Sequence, residues 1–137
     1  MGRLIGIDYG LKRTGIAVTD PLQIIASPLE TVPTEKLKDW LSNYFRSEEV
    51  DRIIVGMPFK LDGTETNNTQ PVRKLIENLH SWFSDIPVSE VDERMTSRMA
   101  MQTMLDGGMK KSQRRKKENV DKISAAIILQ SFLDQQK

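Results

Sequence analysis

The sequence contains no cysteine. Neither disulfide bonds nor thiolate metal sites are available to it, a composition suited to a reducing compartment. Its single histidine, His80, falls on a surface helix position and is assigned no role. No apolar run approaches the ~18 residues of a membrane span, and no charged leader precedes an apolar stretch near the N-terminus. A cytoplasmic protein with no membrane partner is expected. No G-x-x-x-x-G-K-S/T phosphate loop occurs. Aromatic residues make up only 6% of the chain, and Trp40 and Trp82 read as core or semi-buried anchors, not as exposed stacking platforms.

What is present is ordinary for a globular protein: 38% apolar and 28% charged residues. The length of 137 residues points to one domain, residues 1–137. A chain of this size buries roughly 70% of its unfolded surface. The charge is unevenly spread. Lys110, Lys111, Arg114, Arg115, Lys116 and Lys117 fall within eight positions, and no acid lies between Asp106 and Glu118. Without those six residues the net charge of +1 becomes −5. Such asymmetry fits a polyanionic partner, and fits a solvated basic loop equally well.

The run Leu4 to Asp8 shows little polar alternation and predicts a central strand covered on both faces. Thr14 to Thr19 predicts a second strand, joined through the short Tyr9–Arg13 turn as a hairpin. Gln23 to Leu29 predicts a third, with Pro28 favouring an edge. Thr34 is placed to cap a helix carrying Leu37, Trp40, Leu41, Tyr44 and Phe45 on one face. A short buried strand follows at Arg52 to Val55, then a polar stretch with an Asp62-Gly63 turn. Pro71 suits the first turn of a helix whose core face is Val72, Leu75, Ile76, Leu79 and Phe83. Pro87 to Val91 predicts the fifth strand. A third helix starts at Thr96 or Ser97 and ends at Gly107-Gly108. Five of the seven methionines fall in Met95–Met109, mostly as core filler. Asn119 caps a last helix running to about Gln135. The expected architecture is α/β: three antiparallel strands, then strands alternating with helices in parallel pairing, one mixed five-stranded sheet with about four helices.

Three acids fall at element ends. Asp8 ends the first strand, Glu93 follows the fifth, and Asp121 falls in the first turn of the last helix. Sites in open α/β sheets gather at the carboxyl ends of strands. Converging carboxylates without cysteine or clustered histidine favour a hard divalent cation, Mg²⁺ or Mn²⁺. Each acid also has a purely local explanation. Asp8 could be capped by the amides of Tyr9 to Leu11, Glu93 could pair with Arg94, and Asp121 could help cap its helix. Spacing alone does not bring the three together.

The segments resemble those of the YqgF (RuvX) family, small relatives of the RuvC Holliday-junction resolvases in the ribonuclease H-like superfamily. The matching pieces are Ile7-Asp8-Tyr9-Gly10 with Thr14-Gly15, and Ile54-Val55-Gly56-Met57-Pro58 with Asp62-Gly63-Thr64-Glu65. Val91-Asp92-Glu93-Arg94 and Val120-Asp121-Lys122-Ile123-Ser124-Ala125-Ala126 complete the set. The resemblance spans nearly the whole chain in order. It implies a ribonuclease H-like fold and a nuclease processing the 5′ end of the 16S ribosomal RNA precursor, or a junction resolvase. It carries catalytic and metal-binding roles onto Asp8, Glu93 and Asp121, with one or two ions. The chain departs from ribonuclease H and RuvC sites in lacking a clear fourth acid: Gly56-Met57-Pro58 follows the strand ending at Val55, and Asp92 should point away from Glu93.

Lys12 and Arg13, next to the site turn, are candidates for holding a phosphate, or are ordinary turn charges. Arg94 binds nucleic acid or pairs with Asp92. The run from Lys110 through Lys111, Arg114, Arg115 and Lys116 to Lys117 is placed to close on a nucleic-acid backbone. Gly10 and Ser124 stand behind the acids as supporting positions. The polar Thr64–Thr69 loop reads as solvated. The RuvC analogy suggests a dimer, but no exposed apolar interface helix is evident, so a monomer or weak dimer is expected. Two other classes compete with the nuclease. One is a non-catalytic nucleic-acid-binding module, supported by the missing fourth acid. The other is an actin-like or sugar-kinase-like ATPase, because Asp8-x-Gly10 with Thr14-Gly15 also resembles that superfamily's phosphate motif. The ATPase ranks low, since such proteins need two domains and an adenosine site.

Overall fold

The apolar run near the N-terminus becomes the middle strand of a five-stranded sheet. The computed structural model describes residues 2–60, 62–93 and 117–136. Its strands are β1 (Arg3–Asp8), β2 (Arg13–Thr19), β3 (Ala26–Pro33), β4 (Val50–Met57) and β5 (Val88–Asp92). Its helices are α1 (Leu37–Ser47), α2 (Thr69–Trp82) and α3 (Lys117–Gln135). The strands lie in the order β3-β2-β1-β4-β5. The pairs β1–β2 and β2–β3 are antiparallel, while β1–β4 and β4–β5 are parallel. This is the mixed sheet expected from the sequence.

Side-chain alternation along the strands sorts the core into two layers. Ile5 and Ile7 of β1, Ile16 of β2, and Ile53, Val55 and Met57 of β4 face α1 and α2, and meet Leu37, Leu41, Val72, Leu75 and Leu79 there. Leu4, Ala17, Ile54 and Val91 face the other way, onto Ala125, Ile128 and Leu129 of α3. Burying each large side chain contributes about 1.5–3 kcal/mol. With both faces covered, β1 has no need of polar alternation. Ile123 and Ile127 of α3 are buried as well, so its apolar surface extends beyond the stripe that meets the sheet.

Several boundaries differ from expectation for visible reasons. The third strand starts at Ala26 and runs to Pro33, not Gln23 to Leu29. The Asp20 carboxylate accepts hydrogen bonds from the N–H groups of Leu22 (3.1 Å), Ile24 (2.9 Å) and Ile25 (2.9 Å), and Gln23 sits at φ 59°. Those donors are spent in a turn and Leu22, Ile24 and Ile25 are left exposed. Pro28 does lie on an edge strand, beside the register shift between Ile16 and Ala17. Thr34 does not cap α1; it opens a 3₁₀ turn, Thr34–Lys36, and its hydroxyl bonds elsewhere. The fourth strand extends through Gly56 to Met57, because Gly56 pairs with Val91 and Met57 with Asp92. The fifth is shifted by one residue, to Val88–Asp92, and Phe83 follows α2 instead of belonging to it. The last helix already includes Lys117, so Asn119 lies inside it and Asp121 lies beyond its first turn. Three α-helices are seen among the described residues where about four were expected. The helix expected from Thr96 or Ser97, with Arg94, Gly107-Gly108 and the basic residues Lys110 to Lys116, lies outside the described residues.

Candidate active site

Because β1, β4 and β5 run in parallel, Asp8 and Glu93 come to the same carboxyl-end rim of the sheet. Asp8 ends β1 opposite Gly15 of β2, and Glu93 directly follows β5. Alternation puts Asp8 on the α3 face with Leu4 and Gly6, and Glu93 on that face with Val91. Gly56 of β4 lies between them. A Cβ on Gly56 would stand 2.4 Å from Glu93 Oε1, so the Glu93 carboxyl occupies the space this glycine leaves open. It reaches Asp8, and the two carboxyl groups hydrogen-bond to each other. Asp92 faces the opposite side, where it lines a cleft with Met57, Phe59, Arg73 and Glu90.

Such a pair cannot be doubly ionised cheaply. Burial pushes the Asp8 carboxyl well above its usual range, and the charge of Glu93, the hydrogen bond to it and the charge of Asp121 push it further. Burial also raises Glu93; its bond to Asp8 partly offsets this, and Asp92 adds to it. Both carboxyls are thereby shifted towards their protonated forms relative to a free carboxylate.

Asp121 arrives from α3, and its approach depends on Gly15. A Cβ there would lie 2.0 Å from the carbonyl oxygen of Asp121, so α3 rests directly on the β2 backbone at this point. Gly6 does the same one turn further along, where a Cβ would come within 2.9 Å of the Ala125 carbonyl oxygen and the Leu129 Cβ. Asp121 is close enough for its charge to raise Asp8, but its Oδ2 stands 3.5 Å from Arg13 Nε. Among the described residues, no three acidic or histidine side chains close around an ion in this arrangement. The donor set nevertheless suits a hard divalent cation, being all carboxylate oxygen, with Asp8 and Glu93 already together and Asp121 adjacent.

The other expected residues are placed as follows. Lys12 is exposed at the turn beside Asp8, whereas Arg13 turns inward to Asp121. Gly10 sits in a tight turn, where a Cβ would meet the Arg13 carbonyl at 2.4 Å. Ser124 is half-buried on α3, one turn past Asp121. Of the basic run, Lys117 is described only as the first residue of α3. Sequence reasoning missed Thr34. Its hydroxyl donates to the Gly10 carbonyl at 2.5 Å, its N–H donates to the Lys12 carbonyl at 3.0 Å, and its Oγ1 is 2.9 Å from that of buried Thr14. These bonds fix the turn that follows Asp8. It missed also what Gly15 and Gly56 do. The available signal was a glycine at each position that alternation puts beside an acid on the α3 face.

The fold and its acidic rim define the class: a ribonuclease H-type α/β domain. The structure of T. thermophilus RuvC in complex with Holliday junction substrate superposes with a TM-score of 0.59 at 17% identity, covering 99% of this chain and 96% of that one. A second structure, of Thermus thermophilus RuvC, gives 0.55 at 16% identity over 98% and 96% of the two chains. The family model described as "RuvX: Holliday junction resolvase" matches residues 2–135, and the chain belongs to the RuvX family. A protein of Phocaeicola vulgatus named "Putative pre-16S rRNA nuclease" is 52% identical over 137 residues, covering 100% of this chain and 99% of that protein. A Porphyromonas gingivalis protein of the same name is 49% identical over 134 residues, covering 98% and 97%.

Proposed function

We propose that this chain, as a single domain of residues 1–137, is a divalent-metal-dependent nuclease that hydrolyses phosphodiester bonds at the 5′ end of the 16S ribosomal RNA precursor, in the cytoplasm. The observation that carries the reading is the half-buried Asp8–Glu93 carboxyl pair, with Asp121 beside it. A structural role alone gives no reason to bury like charges together, whereas a cation-binding role does. The names of the curated relatives support the substrate.

Asp8, Glu93 and Asp121 would hold Mg²⁺ or Mn²⁺. When bound, the ion supplies Lewis-acid activation of a water and neutralises charge at the scissile phosphate. The protein's own residues do the rest. Gly56 and Gly15 leave the space that lets Glu93 and Asp121 approach, and Thr34 keeps the Asp8 turn rigid. Lys12 contacts the phosphate backbone at the rim, and Arg94 and the Lys110–Lys117 run extend that contact. Gly10 and Ser124 support the acids from behind. Binding therefore weakens steeply with salt.

The test is cleavage of a 5′-extended 16S precursor fragment with Mg²⁺ or Mn²⁺. Wild type should cut it, and Asp8→Asn should bind it without cutting. Equal residual cleavage by both would rule the nuclease reading out. Junction resolution is the second reading, favoured by the family description and the RuvC fold. A four-way DNA junction in the same assay separates the two.

A further inference from the structure

We infer that Arg13 is an internal counter-ion that holds Asp121 until a divalent cation displaces it, which then frees the guanidinium for a nucleic-acid phosphate. The inference rests on the three-acid site proposed above and adds a residue that works against the ion.

Arg13 is the first residue of β2, two positions before Gly15, so alternation puts both on the α3 face. Its stem is thus directed at the acidic rim by the strand itself. Its Nε lies 3.5 Å from Asp121 Oδ2, and that buried Nε makes no hydrogen bond. A guanidinium serving as a permanent structural partner would normally engage a carboxylate with short, forked bonds. This contact is electrostatic and loose. Asp121 stands between two claims, with Arg13 on one side and the Asp8–Glu93 pair on the other, close enough for its charge to act on Asp8.

Three carboxylates with nothing positive among them would repel one another. Arg13 relieves part of that repulsion while the ion is absent. A divalent cation between Asp8 and Glu93 offers Asp121 a stronger partner, for which it exchanges its contact with Arg13. Arg13 then stands beside exposed Lys12 at the rim with its charge uncompensated, which suits a phosphate. Ion binding and nucleic-acid binding would reinforce each other through this one side chain.

The experiment is calorimetric titration of Mn²⁺ into the full chain without nucleic acid. Wild type, Arg13→Gln, Arg13→Lys and Asp8→Asn are compared, with Arg13→Met as a second neutral variant should the glutamine form fold poorly. Even screened as in water, a guanidinium beside a divalent ion alters its affinity by about tenfold. Arg13→Gln and Arg13→Met should therefore bind Mn²⁺ about tenfold more tightly than wild type, with Arg13→Lys close to wild type. A residue with only a structural role would weaken binding when removed. Unchanged or weaker Mn²⁺ binding in the neutral variants, with binding still abolished by Asp8→Asn, would overturn the counter-ion role and leave the three-acid site standing. Wild-type binding that is absent, or insensitive to Asp8→Asn, would remove the three-acid site and this inference with it.

Discussion

Replacing Gly15 by alanine tests how the third acid is delivered. The new Cβ would lie 2.0 Å from the carbonyl oxygen of Asp121, 2.2 Å from its carbonyl carbon and 2.8 Å from the nitrogen of Lys122. All three are backbone atoms, so no rotamer change relieves the clash. Reaching an ordinary contact of 3.4 Å requires a separation about 1.4 Å larger. The strand cannot supply it, since β2 is bonded on both sides and Ile16 beneath is fully buried. Helix α3 must lift at Asp121. Overpacking of this kind costs about 1–3 kcal/mol. At about 4 °C per kcal/mol for a chain of this size, the melting temperature falls by roughly 4–12 °C. A displacement of this size at a catalytic group costs on the order of 100-fold in rate. Thermal melting by circular dichroism and single-turnover cleavage of the precursor fragment measure the two effects. Gly6→Ala, whose Cβ would meet its neighbours at 2.9 Å, should be milder in both. A Gly15→Ala protein that melted and cleaved like wild type would refute this account of the helix placement.

Asp8→Asn should stabilise the metal-free protein by about 0.5–2 kcal/mol, since a site built for function rather than stability loses its buried like charge; melting in EDTA near neutral pH measures this. Asp8 and Glu93 are both raised in the folded state, which therefore binds protons more tightly than the unfolded chain. Metal-free wild type should gain stability as pH falls from neutral towards the carboxylate range and lose it as pH rises through the raised values; a flat profile would count against the pair. Further acidification reverses the trend, because the N–H groups of Ile25 and Ile24 hold Asp20 below its usual range. Gly56→Ala would press on Glu93 Oε1 at 2.4 Å and on the terminal Cδ1 of buried Ile128 at 2.5 Å, side-chain ends where Gly15→Ala meets backbone, so the melting temperature should fall less than for Gly15→Ala while cleavage still suffers through Glu93. Thr34→Val removes the bond to the Gly10 carbonyl and should cost about 0.5–1.5 kcal/mol, with Thr34→Ser restoring cleavage.

The sheet was legible because its strands are apolar runs that alternation and turn residues delimit. Leu4 to Asp8, Ile53 to Val55 and Val91 each lie where their pattern placed them. The third strand was misplaced because Leu22, Ile24 and Ile25 look like strand residues, while the deciding interaction is the Asp20 side chain gathering their amides. Asn119 looks like the start of α3 but lies inside it, because a good capping residue says nothing of whether the helix has already begun. Asp8 and Glu93 could be nominated from their positions at strand ends, but their contact depends on three parallel strands and on Gly56, which are tertiary facts. The pairing of Arg13 with Asp121 joins residues more than a hundred positions apart, and no local pattern encodes it. The assignment of a reaction rested on family resemblance, which the RuvX match bears out.

The proposed function depends on Asp8, Glu93 and Asp121 being ligands of one divalent-cation site. The most direct measurement is anomalous diffraction from crystals of the protein soaked in Mn²⁺. An anomalous peak is expected at the carboxyl-end rim of β1 and β5, within coordination distance of Asp8 and Glu93, with Asp121 rotated off Arg13 towards it. A peak elsewhere, or a soaked crystal in which Asp8 and Glu93 still hydrogen-bond to each other with no ion between them, would contradict it.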